Sequence, residues 1–293
     1  MRIALFGSPF PEKSRKYIQH LVNKIEAEKK QQIIVEKKFF EFLKKEIRFK
    51  QEIQLFSDFK NLRGNADFLF SIGGDGTLLK ATTFVRNSNI PIMGINTGRL
   101  GFISSISIDK IDYAINNLIK ENYSINNRTL LTLSTKNHLF KEMNFALNEV
   151  AITKKDTSSM IKIEAYLNDT FLNTYWADGL IISTPTGSTG YSLSCGGPII
   201  MPGTGNIIIT PITQHNLNVR PIVVEDSSVI KLKVEDRDQL ALVSLDSRSR
   251  AFDSTIDLTV KKADFYIKLI EFKNNTFIPT VRNKLMWGID KRN

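Results

Sequence analysis

Near Ser124 the pattern of the sequence changes, and that change limits the possible folds more than any other feature. Before it, strand-like apolar runs alternate with helix-like segments; after it, short runs rich in β-branched residues follow one another between turns. The first pattern builds a parallel α/β sheet, and the second an antiparallel all-β packing. Strands are expected at residues 3–6, 32–35, 68–72 and 92–95, with helices at 14–30, 39–50, 77–87 and 111–120. Beyond the change, strands are expected at 130–134, 146–152, 161–167, 179–183, 207–211, 229–234, 240–245, 254–260 and 265–271. The expectation is an α/β domain over 1–124 with a Rossmann-like parallel sheet, then an all-β, sandwich-like domain over 125–275. A tail over 276–293 reads as one more helix that packs back on the first domain.

A chain of 293 residues is long enough for two domains with their own cores. No segment approaches the roughly 20 apolar residues of a membrane span, and the apolar start is too short for a signal peptide. Cys195 is the single cysteine, so an intrachain disulfide is excluded and a cytoplasmic location is expected. The net charge is +10, and residues 1–60 hold 14 Lys and Arg against 8 Asp and Glu. Two solvated helix faces account for this excess, with steering of polyanionic nucleotides as the functional reading. Zinc-ligand spacing and an aromatic-studded basic sheet are both missing, so no nucleic-acid partner is expected.

Four stretches carry the chemistry. In the first, the apolar run Asp67-Phe68-Leu69-Phe70-Ser71-Ile72 leads into Gly73-Gly74-Asp75-Gly76-Thr77, and a helix-like segment follows at once. Strand, glycine turn and helix N-terminus suit phosphate, because glycine admits close backbone approach and free N–H groups attract anions. An acid among phosphates costs electrostatic energy, so Asp75 reads as a general base or a metal anchor. The plainer alternative is a turn in which Asp75 only caps the helix.

The second stretch, residues 92–102, repeats the strand and glycine loop one helix later. In a parallel sheet the strand ends share an edge, so this loop and the Asp75 turn are expected to face one crevice. Gly73, Gly74 and Arg99 are the phosphate-contacting candidates. In the third, Asn148-Glu149 interrupts an apolar strand; the two side chains point to opposite faces unless a bulge or strand end reorients them. Asn suits a ring nitrogen or amide, and Glu accepts from sugar hydroxyls. The fourth stretch runs from Asp178 to Pro198, a strand followed by a dense series of hydroxyls and glycines with Tyr191 placed to stack on a base. Neither His nor Lys lies beside its serines, so a nucleophilic hydrolase is not expected, and Cys195 reads as a packed residue. The chain contains no Gly-x-x-x-x-Gly-Lys-Ser/Thr, so it is not a P-loop enzyme.

In order and spacing from Phe68 to Arg248, these stretches resemble the bacterial NAD kinases, ATP- or polyphosphate-dependent; the first 60 residues match least. The segment 214–221 is similar to the family's late signature. The alternative is a diacylglycerol or sphingosine-type lipid kinase, which shares the glycine-acid turn but lacks the hydroxyl loop in this form. The resemblance implies phosphorylation of the 2′-hydroxyl of the adenosine ribose of NAD, at an active site at the domain interface. It implies Asp75 as catalytic base, with Gly76 and Lys80 contacting the dinucleotide. Asn148 and Glu149 would grip the dinucleotide, and Asp178 its nicotinamide part. Thr189, Gly190, Tyr191, Ser192, Leu193, Ser194 and Thr213 would contact it, and Asp246 would open a late ligand-contacting turn. Gly190 stands where alanine is usual. Trp176 holds a position linked to donor choice, and Ser159 and Arg248 fill variable ligand-lining positions. Further implications are a Mg²⁺ or another divalent metal carried on the donor phosphates without a dedicated protein site, NAD and ATP as substrates, and a homodimer or homotetramer with no membrane partner.

Overall fold

The computed structural model describes residues 1–28, 31–98, 101–104, 106–155, 160–215, 218–236, 239–273 and 277–286. The chain forms two units, one of residues 1–127 with those from 267 onward, the other of residues 128–266.

In the first unit strands and helices alternate: β1 (Arg2–Gly7), α1 (Arg15–Ala27), β2 (Gln32–Glu36), α2 (Lys37–Glu46), β3 (Gln54–Phe56), α3 (Phe59–Leu62), β4 (Phe68–Ile72), α4 (Asp75–Val85), β5 (Ile92–Asn96), β6 (Ile106–Ser107) and α5 (Ile111–Ile119). The strands pair in parallel in the order β3-β2-β1-β4-β5, with β6 on β5. Ile3 to Phe6 and Ile92 to Asn96 are continuously buried, as strands covered on both faces must be. On α1, Ile18, Leu21, Val22 and Ile25 make one buried stripe. The basic residues Lys37, Lys38, Lys44 and Lys45 of α2 lie on its exposed side. This helix starts two residues before the expected position because the Glu36 carboxylate accepts from Phe39 N at 2.8 Å. It stops at Glu46, where Ile47 turns extended and buries its side chain.

The second unit contains β7 (Ser124–Thr135), β8 (Phe145–Ala146), β9 (Glu149–Lys154), β10 (Ile161–Leu167), β11 (Thr170–Ala177), β12 (Gly179–Ser183), α6 (Tyr191–Ser194), β13 (Asn206–Ile212), β14 (Ile222–Glu225), β15 (Ile230–Glu235), β16 (Leu240–Leu245), β17 (Arg248–Asp253) and β18 (Leu258–Glu271). One antiparallel sheet has the order β11-β10-β15-β18, with β7 on β18 and β8 on β7; the other has the order β14-β13-β12-β9-β16-β17. Residues alternate: Ile230, Leu232 and Val234 are buried while Lys231, Lys233 and Glu235 are exposed. Together with Val150, Ile152, Leu180, Ile182, Ile207, Ile209, Ala241 and Val243 of the facing sheet they form one core, a β-sandwich.

Three expected strands need correction. Residues 254–260 and 265–271 are not separate strands: β18 runs from Leu258 through the polar Lys261, Lys262 and Asp264, which resemble a turn in the sequence. Residues 146–152 are not one strand, since Leu147 and Asn148 separate β8 from β9. After β18, α7 (Phe277–Leu285) follows and buries Thr280 and Val281.

Candidate active site

The strand order of the first unit reverses between β1 and β4, and ligands of open α/β sheets bind beyond the strand ends at such a point. The turn from Gly73 to Asp75 leaves β4 there. Gly73 has a φ of 151°, and a Cβ on it would lie 2.3 Å from Thr77 Oγ1, so this glycine is demanded by the turn itself. Ser8, at the end of β1, completes the fastening through its Oγ, 3.0 Å from Thr77 Oγ1. Gly74 and Gly76 differ: a Cβ on either would meet nothing within 4 Å. They are exposed, leaving room for a ligand against the N-terminus of α4.

Asp75 is the first residue of α4, and its carboxylate turns away from its own helix. Oδ2 accepts from Phe102 N at 2.7 Å; Oδ1 accepts from Ser104 N at 2.8 Å and Ile103 N at 3.2 Å. The cap is Gly74, which excludes the reading of Asp75 as a simple helix cap. The glycine loop after β5 thus folds onto the turn after β4. Its shape is held by Asn96, whose Oδ1 accepts from Gly98 N at 2.8 Å, and by Ser104 Oγ donating to Gly73 O at 3.3 Å. Lys80 is exposed, one helical turn beyond Gly76. Arg99 lies outside the described residues.

In the second unit the break between β8 and β9 is organised by another acid. Asp246, with a φ of 52°, accepts from Leu147 N at 2.9 Å, Asn148 N at 2.8 Å and Glu149 N at 3.3 Å. Arg248 donates to the carbonyls of Met143 and Phe145 and lies over the Phe145 ring, 5.2 Å from its centroid. These contacts fix Asn148 and Glu149 at a strand end instead of within a pleat, the exception that the alternation argument allowed. Asn148 Oδ1 and Glu149 Oε2 are both buried and without a hydrogen-bond partner. Burial, then the charge of Asp246, pushes the Glu149 carboxyl up to about 8, against the pull of the Tyr191 amide. Asp246 is also raised by burial, opposed by its three amides and the Arg248 guanidinium.

Most hydroxyls of the glycine-rich loop serve the loop. Thr184 Oγ1 donates to Leu147 O at 2.6 Å, Ser188 Oγ to Pro185 O at 2.7 Å and Thr189 Oγ1 to Thr186 O at 3.2 Å. The Ser192 hydroxyl is fully buried, 2.9 Å from Thr210 Oγ1. Gly187 is needed because a Cβ there would lie 2.1 Å from Asn148 O. A Cβ on Gly190 would face Glu149 Oε2 at 3.1 Å and Asn148 Nδ2 at 3.4 Å, so position 190 borders the orphaned Glu149 oxygen and the Asn148 amide nitrogen. Tyr191 and Ser194 are exposed, and Leu193 is half-buried. Cys195 packs against Ala151, Ile181 and Ile212. Asp178 pairs with Lys154 at 2.6 Å. Trp176 and Thr213 are exposed, and Trp176 O accepts from His215 N at 3.0 Å. Ser159 lies outside the described residues, as do Asn216 and Leu217 of the late segment.

The sequence reading missed the amides of residues 102–104 and the three amides that bond to the Asp246 carboxylate. Backbone donors leave no trace in residue types; the available signal was the repeated glycine in and after β5, at 94, 98 and 101.

Residues 12–123 match the ATP-NAD kinase N-terminal domain and residues 147–272 the ATP-NAD kinase C-terminal domain. The chain is 48% identical over 294 residues to the NAD kinase of Cytophaga hutchinsonii and 43% over 292 residues to that of Bacteroides fragilis, covering 100% of both partners in each case. Among solved structures it is similar to an NAD kinase from Archaeoglobus fulgidus in complex with ATP, with a TM-score of 0.75, 25% identity, and 98% of this chain and 99% of that one covered. The yeast NADH kinase complexed with NADH has the same fold, with a TM-score of 0.87, 22% identity, and 99% and 89% covered. These relatives do not support the lipid-kinase alternative. With both domains matched and full-length identity near one half, the chain belongs to the NAD kinase family.

Proposed function

We propose that the chain transfers a phosphoryl group from ATP to the 2′-hydroxyl of the adenosine ribose of NAD, giving NADP. The observation that carries the mechanism is the bonding of Asp75. A carboxylate oxygen offers two lone-pair sites. Oδ1 fills both with the amides of Ile103 and Ser104, whereas among the described residues Oδ2 receives only Phe102 N. Oδ2 therefore keeps a site for the substrate hydroxyl. As that hydroxyl oxygen bonds to the γ-phosphorus and the bond to the β-phosphate oxygen breaks, Oδ2 takes the proton and ADP leaves.

The open space at Gly74 and Gly76 and the first amides of α4 suit the phosphates. Lys80 and Arg99 are assigned to the same charge. Asn148 Oδ1 and Glu149 Oε2 are unpaired acceptors, and the amino group of adenine and the ribose hydroxyls are the donors such atoms require. Tyr191 supplies a stacking face. Gly190, Thr189, Leu193, Ser194, Asp178, Trp176, Thr213 and Ser159 are assigned to the rest of the dinucleotide, with Ser192, Asp246 and Arg248 shaping the pocket.

Among the described residues, no three His, Cys, Asp or Glu side chains gather into a metal cage. A divalent metal fits as part of the donor, bound to its phosphates. Polyphosphate is the competing donor. Among the described residues no helix is long and apolar enough to cross a membrane; a cytoplasmic homodimer or homotetramer is the assignment that accompanies this reading.

The test is a steady-state assay with NAD, ATP and Mg²⁺, detecting NADP with an NADP-specific dehydrogenase. Diacylglycerol as acceptor and polyphosphate as donor are the parallel arms. NADP formation at a rate of enzymatic order is expected; its absence with both donors overturns the proposal.

A further inference from the structure

We infer that Gly101 is a positioning residue for Asp75, because the space left by its missing side chain is the space that the Asp75 carboxylate occupies. The inference rests on the reading of Asp75 as general base. A Cβ on Gly101 would lie 1.7 Å from Asp75 Oδ1, 2.4 Å from Cγ and 2.7 Å from Oδ2. No relaxation of a few tenths of an ångström relieves such an overlap; the carboxylate has to leave. Among the described residues the positive-φ glycines are Gly64, Gly73, Gly196 and Gly203; at Gly101 the overlap with Asp75 is by itself enough to demand a glycine. Van der Waals space is the reason.

Three consecutive amides follow Gly101 and hold the carboxylate. The segment is closed on itself, with Gly101 N donating to Ser104 O at 3.3 Å. It is also tied to the turn it serves by Ser104 Oγ on Gly73 O. Glycine, then three donors, makes a socket for one carboxylate in one orientation. The socket leaves Oδ2 the less occupied oxygen, and so decides which oxygen meets the hydroxyl. Gly101 touches no reacting atom of the substrate; it acts through Asp75.

The experiment is a double-mutant cycle on the full chain with Gly101→Ala, Asp75→Ala and the pair, read by kcat, KM for NAD and melting temperature. Gly101→Ala alone is expected to lower kcat on the order of 10²-fold, as misplacement of a reacting group does, with KM for NAD within about threefold. It should also melt earlier than the parent. In the Asp75→Ala background the added methyl enters the emptied socket, so melting temperature and residual rate stay close to those of Asp75→Ala. If Gly101→Ala alone fails to fold, the paired variant is expected to restore folded protein. A kcat within threefold of the parent, an equal cost with and without Asp75, or a paired variant that also fails to fold overturns the inference. Parental turnover in Asp75→Ala would sink the base assignment alone, while the melting temperatures still report whether Gly101 houses the carboxylate.

Discussion

Asp75 in the first unit and Asp246 in the second are held in the same way, each by three consecutive backbone amides, yet the two arrangements leave opposite residues exposed to demand. Around Asp75 the backbone orders the acid: residues 102–104 fix a carboxylate that borders open space at Gly74 and Gly76. Around Asp246 the acid orders the backbone: Leu147 and Asn148 are pulled out of the strand, Glu149 is held at its end, and the unsatisfied atoms are on side chains, Asn148 Oδ1 and Glu149 Oε2. On the proposed function, the same three-amide grip serves proton transfer in one place and recognition in the other. A carboxylate fixed in place with one lone pair still open is ready to act; a buried acceptor without a donor waits for a ligand.

The comparison is broken most directly at Asp75. Asp75→Ala is expected to lower kcat by about 10²–10⁴-fold, the usual worth of a general base, in the NADP assay. Asp75→Asn is the poorer probe, because its amide nitrogen meets a donor wherever it is placed among three N–H groups. Next in size, Asp246→Ala leaves three amides without their acceptor and should cost about 2–4 kcal/mol in urea unfolding. A cost below 1 kcal/mol would show that the strand break is held by other contacts. Glu149→Ala is expected to raise KM for NAD about tenfold with kcat little changed, since it removes an acceptor and not the base. An unchanged KM would demote Glu149 to a structural role.

The smallest effect sharpens the contrast through pH. Glu149 ionises near 4.5 when free and at about 8 in the folded chain. Between these values the folded state binds the extra proton, so the contribution of Glu149 to stability is complete below pH 4.5 and is lost as pH rises through 8. Glu149→Gln mimics the protonated form at every pH. Its melting temperature should therefore gain on the parent by a few degrees between pH 5 and pH 8. A constant difference across that range would mean the buried acid is not protonated. Donor hydrogen bonds from NAD favour the carboxylate, so binding near pH 7 should release protons, measurable by calorimetry in buffers of different ionisation heat.

How much of this was legible depends on whether side chains or backbone do the work. The pattern change near Ser124 announced an α/β unit followed by a β-sandwich, because periodicity is written in residue types. The Asp75 turn and the Asn148-Glu149 pair were also visible, as polar residues where apolar ones belong. The hydroxyl-rich loop was misleading in detail: Thr184, Ser188 and Ser192 look like ligand donors in the sequence, but their hydroxyls bond to Leu147 in the β8–β9 break, to the loop and to β13. The sockets of Asp75 and Asp246 were not legible at all. Any residue can present an amide, and only Gly101, by what it lacks, marks one of them.

The chain leaves the first unit after residue 127 and re-enters it at 267. The core of the first unit includes Ile270 and Phe272, beyond that return. On a ribosome, where synthesis runs from the N-terminus, the second unit has all its residues before the first has its last ones. The unit begun first is therefore the one completed last.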